Sequence, residues 1–284
     1  MKFYFLILLF LLSNYNNCLA QNNRKEMAFY NVGLGSVCGG IGSLINKKSN
    51  EKWSKVFIKG LCQGAFGGYL VYESKNLIGK ISENQRYEYS WYAKAVNSAG
   101  ISIIENASSN RDLWEQWNLN IGFNRIEFYT KNKFKAKYKI MPVSLLLTIG
   151  VASNSKFEFD KTIQTGEFIF SKKLNKDNVR GITYGTAIIL DSSETNNYST
   201  ISHEIIHIYQ YYDFNFINSY FDKPKEQWKI KSNTFKKLNN IFYFDIQGGP
   251  LNGIYLLENI NRNNYYDNFF ENEAGFYSNT ISRE

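Results

Sequence analysis

A chain of 284 residues with 44% hydrophobic residues can bury a sizeable core, which excludes wholesale disorder, and its 3 prolines exclude a long proline-rich linker. Lysine and arginine number 33 against 25 acids, a formal net charge of +8. Such a surplus raises nucleic acid or an anionic surface as a partner, but the lysines are scattered or alternate along strands, which argues against a nucleic-acid groove.

The first twenty residues, MKFYFLILLFLLSNYNNCLA, carry Lys2, an apolar run from Phe3 to Leu12, and small or polar residues ending at Ala20. That layout predicts a secretory signal peptide over residues 1–20, and an exported chain that is periplasmic, membrane-associated or secreted. The apolar run is about half of what a spanning helix needs. Removing it takes one lysine and no acid, so the mature charge is +7.

Next comes a glycine-rich stretch, residues 21–80. Gly35, Gly39 and Ser43 are spaced by four, as are Gly60, Gly64 and Gly68, with a polar turn near residue 50. On two helices this spacing makes small-residue stripes that let backbones approach closely, so a helical hairpin is expected. Cys38 falls level with Cys62 across the hairpin, which would suit a disulfide in an exported protein. The helical wheel opposes this, because Cys62 lies opposite the Gly60/Gly64/Gly68 stripe. Residues 31–72 also raise association with a membrane surface.

Residues 90–117 have helical periodicity with breaks near Gly100 and residues 108–110. From Leu119 the period becomes two, through LNIGFNRIEFYT, KFKAKYKI, PVSLLLTIGVA, KFEFDKTIQTGEFIF and GITYGTAIIL. Lys133, Lys135, Lys137 and Lys139 alternate with apolar residues, as on a solvated sheet face or a guarded edge. About five short strands beside helices predict an α+β fold: an N-terminal glycine-rich helical hairpin and helix, then a small, mostly antiparallel sheet over about 119–190.

The only two histidines are in STISHEIIHIYQYYDF, residues 199–214: His203 and His207, with Glu204 beside the first. Thr200 is the expected N-cap. Ile201, Ile205, Ile208 and Tyr212 form one apolar stripe, and His203, His207 and Gln210 face the other way. Two imidazoles one turn apart can ligate the same Zn²⁺, and Glu204 can serve as general base toward water at the metal. H-E-x-x-H is a specific signal for that chemistry. A catalytic zinc needs a third protein ligand. With no other histidine and the cysteines far upstream, a carboxylate is expected.

HEIIHIYQ resembles the active-site helix of zincin metallopeptidases, particularly bacterial H-E-x-x-H-x-x-Q proteins of the gluzincin type. In that branch a glutamate from a downstream helix completes the site. YYDNFFENEAGFYS, residues 265–278, resembles the segment that supplies it, in the form E-x-x-A. The resemblance implies His203, His207 and Glu271 as metal ligands, with Ala274 completing E-x-x-A, Glu204 as catalytic base, and Zn²⁺ as cofactor. It also implies that GITYGTAIIL resembles the strand along which an extended peptide binds, and that residues 81–284 form one zincin-like domain with metal-site helices about 199–214 and 265–280.

The wheel of 265–278 disputes the third ligand. Glu273 lies amid Tyr266, Phe269, Phe276 and Tyr277, while Glu271 shares a face with Asp267 and Ser278, and a buried carboxylate must be paired or bound to metal. Glu273 is therefore an alternative, with Glu258 behind it. Tyr255, Tyr265, Tyr266 and Tyr277 all qualify as a transition-state electrophile. The function expected is an exported zinc metallopeptidase acting on peptide or protein. The alternative is a non-catalytic cell-envelope protein held at a membrane by the hairpin.

Overall fold

Glycine holds the first three helices together. In the computed structural model, which describes residues 24–174, 179–260 and 264–281, α1 (Arg24–Ile45) and α2 (Trp53–Asn84) form the antiparallel hairpin that the spacing predicts. The predicted signal segment lies outside the described residues. The two backbones touch: a Cβ on Gly39 would stand 2.6 Å from the Gly60 carbonyl oxygen, and methyl groups on Gly64 or Gly68 would strike the carbonyls of Gly35 or Asn31. Helix α3 (Tyr89–Ser108) packs on α2 in the same way, with Gly100 against Gly67. Gly100 thus marks a close approach, not the expected break, and α3 runs unbroken to Ser108.

Cys38 is buried, Cys62 is exposed, and both are free. With Gly60 and Gly64 turned toward α1, Cys62 on the opposite face of α2 points away from the hairpin. Helix α1 is long and apolar enough to cross a membrane by length and composition. Its glycine face packs on α2, and Gly42 meets Ser108 of α3.

The period-two segments form two small sheets. Strands β1 (Gln116–Ile121), β2 (Asn124–Tyr129) and β3 (Lys135–Ile140) pair antiparallel in that order, with Gly122 turning at φ +55. The lysine face of β3 is solvated only at its start. Lys139 is buried and pairs with Glu127 at 3.2 Å, beside Arg125, which lies between Glu105 and Glu127 at 2.6 and 3.0 Å. The register opposes Arg125 to Lys139, and Glu127 of β2 pairs with both cations and so holds the lysine inward.

PVSLLLTIGVA, expected as a strand, is helix α4 (Pro142–Ala152). Proline suits a first helical turn, and Asp245 caps it from a hundred residues away, accepting from the Val143 and Ser144 amides at 2.9 and 2.8 Å. A short apolar run cannot be assigned by periodicity alone, and here a distant cap decides. KFEFDKTIQTGEFIF likewise divides into β4 (Lys156–Phe157), α5 (Phe159–Thr165) and β5 (Phe168–Lys172), with Gly166 ending α5 in the left-handed region.

GITYGTAIIL is a hairpin and not a single strand: β6 (Gly181–Tyr184) turns at Gly185, φ +61, into β7 (Ala187–Asp191). The second sheet has the order β4-β5-β7-β6, antiparallel except for the parallel pair β5–β7. Helix α6 (Tyr198–Asp213) follows, then α7 (Phe216–Tyr220), α8 (Asp222–Lys231), α9 (Asn233–Ile241), α10 (Gly248–Asn259) and α11 (Phe269–Ser278). The chain is α+β. Its largest core sets the predicted α6 stripe, Ile201, Ile205, Ile208 and Tyr212, against Val71 and Ile78 of α2, Ile188 of β7 and Phe276 of α11.

Candidate metal centre

Two side-chain caps aim the ligands. Helix α6 starts at Asn197, not at the expected Thr200: the Asn197 side chain accepts from the Ser199 and Thr200 amides at 3.0 and 3.1 Å. Thr200 lies one turn inside and donates to Glu194 at 3.0 Å. Helix α11 starts later than the sequence suggests, because Tyr265–Asp267 form a separate 3-10 turn. Asn268 then accepts from the Phe270 and Glu271 amides at 2.8 and 3.3 Å. Capping in this way satisfies amides that have no partner in the first turn. It also sets Glu271 at the start of a helix packed against α6.

The three donor atoms form a nearly equilateral triangle. His203 Nε2 and His207 Nε2 are 3.1 Å apart, and Glu271 Oε2 is 3.2 Å from the first and 3.3 Å from the second. A tetrahedral ion with bonds of about 2.0–2.1 Å has its ligand atoms about 3.3 Å apart, the edge of the tetrahedron. The spacing fits, so His203, His207 and Glu271 can hold a metal ion. Among the described residues no other group of ligand atoms comes this close together.

The surroundings orient two of the three donors. Tyr255 donates to Glu271 Oε1 at 2.7 Å, leaving Oε2 for the triangle. Gln210 gives its amide nitrogen to the Phe270 carbonyl and to Glu273 Oε2, both at 2.9 Å, so its oxygen faces His207 Nδ1 at 2.8 Å. The proton of neutral His207 then belongs on Nδ1, and Nε2 keeps its lone pair. Burial alone would raise the Glu271 pKa, but the two imidazoles hold it well below the carboxylate range. Burial would conversely lower that of His207, and Glu271, with Glu204 behind it, raises it to about 9. The centre is built to hold positive charge.

Glu204 is buried beside the triangle and fixed from the sheet. Thr183 of β6 donates to its Oε2 at 2.7 Å, and Gly181 lies so close that a Cβ there would stand 2.6 Å from Oε1. The site opens into a cleft of about 1420 Å³ walled by β6, by α10 and by Val143 and Leu147 of α4.

Glu273, the competing ligand, is buried away from the triangle. It pairs with Lys75 of α2 at 2.8 Å, which accounts for its burial without a metal. Neither Glu273 nor Glu258 joins the ligand group. Of the four tyrosines, Tyr255, Tyr265 and Tyr266 line the cleft. Tyr265 stacks on His203 with ring centroids 6.4 Å apart, while Tyr277 is buried in the core.

The sequence reading overlooked Thr183, Asn268 and Lys75. Asn268 follows the N-cap pattern and was detectable; nothing local marks the other two. Comparison with protein-family models, with curated proteins and with solved structures finds no match.

Proposed function

We infer that this chain is a zinc-dependent hydrolase acting on peptide bonds, with Glu204 as its general base. The observation that carries the reading is the donor triangle at tetrahedral spacing, set in the wall of a cleft with a fixed carboxylate next to it. Two imidazoles and one carboxylate are one of the ligand sets of catalytic zinc, which keeps one position open. When bound, the ion supplies Lewis-acid polarisation and lowers the pKa of water at the open position.

The chain's own residues do the rest. Glu204 takes the proton of the attacking water and delivers it to the departing amine, so the same carboxylate serves as base and then as acid. Thr183 keeps one of its oxygens engaged and so aims the other. Tyr255 and Tyr265 line the cleft next to Glu271, where a phenol released from that carboxylate can donate to the developing oxyanion. Among the described residues β6 pairs with β7 alone, and it lines the cleft, which suits an extended peptide.

The test is zinc content and peptide hydrolysis by the purified chain, alongside Glu204→Gln. Near one zinc per chain and a loss of 10²–10⁴-fold in the variant, at unchanged zinc, is the expected outcome. No zinc uptake on reconstitution, or an active Glu204→Gln protein, refutes the reading.

A second reading, a protein held at a membrane surface through the hairpin, draws on exposed Phe29, Phe66 and Tyr69 of α1 and α2. Flotation with anionic liposomes tests it: a chain that stays at the bottom of the gradient removes it.

A further inference from the structure

Lys75 is fully buried and directs all three of its N–H groups at neighbours on other helices. It donates to Asp213 Oδ2 on α6 at 2.6 Å, to Glu273 Oε1 on α11 at 2.8 Å and to Asn31 Oδ1 on α1 at 3.0 Å. Taking an ammonium out of water costs several kcal/mol even when it is paired, and an apolar residue of similar volume is often as stable there. A charge at this depth therefore directs attention to what its partners do beyond joining helices.

The bonds lead to the metal centre. With Oε1 of Glu273 held by Lys75 and Asn31, its Oε2 is turned to the Gln210 amide nitrogen at 2.9 Å. That contact points the Gln210 oxygen at His207 Nδ1. We propose that Lys75 is a positioning residue of the metal centre: through Glu273 and Gln210 it locks the Nδ1–H form of His207 and so presents the Nε2 lone pair to the ion. This rests on the metal reading above but not on peptidase activity. It also assigns a task to the glycine hairpin, whose contact of α1 with α2 brings Asn31 and Lys75 to the same carboxylate.

The simplest variant, Lys75→Met, leaves two buried carboxylates without a cation and is liable to misfold. Lys75→Met/Asp213→Asn removes one charge of each sign, leaving the net charge of the cluster unchanged and both Glu273 and Gln210 in place. Asp213→Asn alone is the control. Zinc affinity is read by competition with a chromophoric chelator, helix content by circular dichroism. Because His203 and His207 are the only histidines, imidazole N–H resonances of the ¹⁵N-labelled, zinc-loaded chain are read without crowding.

The expected result is zinc binding weakened 10–100-fold in the double variant at unchanged helix content. The His207 Nδ1–H signal is lost to exchange, and the control stays within twofold of the parent on both readouts. A folded double variant with parental affinity and a parental Nδ1–H signal overturns the proposal and leaves the metal centre standing. A parent chain that takes up no metal overturns both. A double variant that fails to fold even with zinc overturns it too, since the cluster would then be structural.

Discussion

Alanine at Gly181 gives the sharpest test of Glu204, because the substitution is small and the contact is specific. A Cβ at that position stands 2.6 Å from Glu204 Oε1 and 2.8 Å from its Cγ and Cδ, where ordinary contact begins at 3.4 Å. Strand β6 has little room to retreat, since Gly181 and Ile182 are paired with Leu190 and Ile189 of β7. The carboxylate must move, by on the order of 0.8 Å, and a misplacement near 1 Å costs on the order of 100-fold in rate, about 2.7 kcal/mol. The assay is kcat on a peptide substrate together with zinc content and thermal midpoint. The expected Gly181→Ala protein keeps its zinc and its fold and loses kcat about 100-fold. Gly33→Ala, where a Cβ meets nothing within 4 Å, is the matched control and keeps full activity, with up to about 1 kcal/mol gained from helix propensity. Full activity in Gly181→Ala would refute the reasoning, since the base would then lie elsewhere or tolerate free movement.

The two glutamates of α11 separate by phenotype: Glu271→Ala abolishes stoichiometric zinc binding, whereas Glu273→Ala keeps a weakened site and loses on the order of 3 kcal/mol of stability by breaking the pair with Lys75. Elemental analysis and urea denaturation distinguish them, and the opposite pattern would make Glu273 the ligand. Acid should destabilise the first sheet. Burial would raise the pKa of Glu127, but Arg125 and Lys139 bring it down to about 2, from an ordinary value of 4.5. A lowered carboxylate contributes stability that is present above pH 4.5 and lost as pH falls toward 2. The urea midpoint should therefore fall across that window in the parent and less in Glu127→Gln; equal slopes would remove Glu127 as the cause. Cys62, exposed, should react with a thiol reagent at once. Cys38, whose thiol burial pushes up to about 12, should react only on unfolding, and equal rates would contradict the hairpin packing.

Local patterns were legible where one element satisfies itself. Glycine at every fourth position specified a helical hairpin, because close packing of two backbones needs only the absence of side chains. H-E-x-x-H specified two imidazoles on one face, because helix geometry alone brings residues four apart together. The α+β class followed from the change of period after Leu119. Strand boundaries were less legible: α4 reads as a strand until Asp245, a hundred residues on, caps its first turn.

The E-x-x-A resemblance points to Glu271 and the helical wheel to Glu273, and only the tertiary structure brings one of them, Glu271, to the histidines. On the wheel Glu273 is the more deeply set in apolar neighbours, and a buried carboxylate requires a partner. The partner is Lys75, 198 positions away, and no local pattern announces it. Asn268 starts α11 one short turn later and caps it with Glu271 in the first turn. Thr183 and Gly181 belong to the same class, since a strand and a helix meet at Glu204 only when the sheet is assembled. The sequence by itself determined which side chains can offer ligands to a metal. The tertiary structure decided which acid completes the set, because a buried charge goes to whichever partner the packing of distant helices brings within reach.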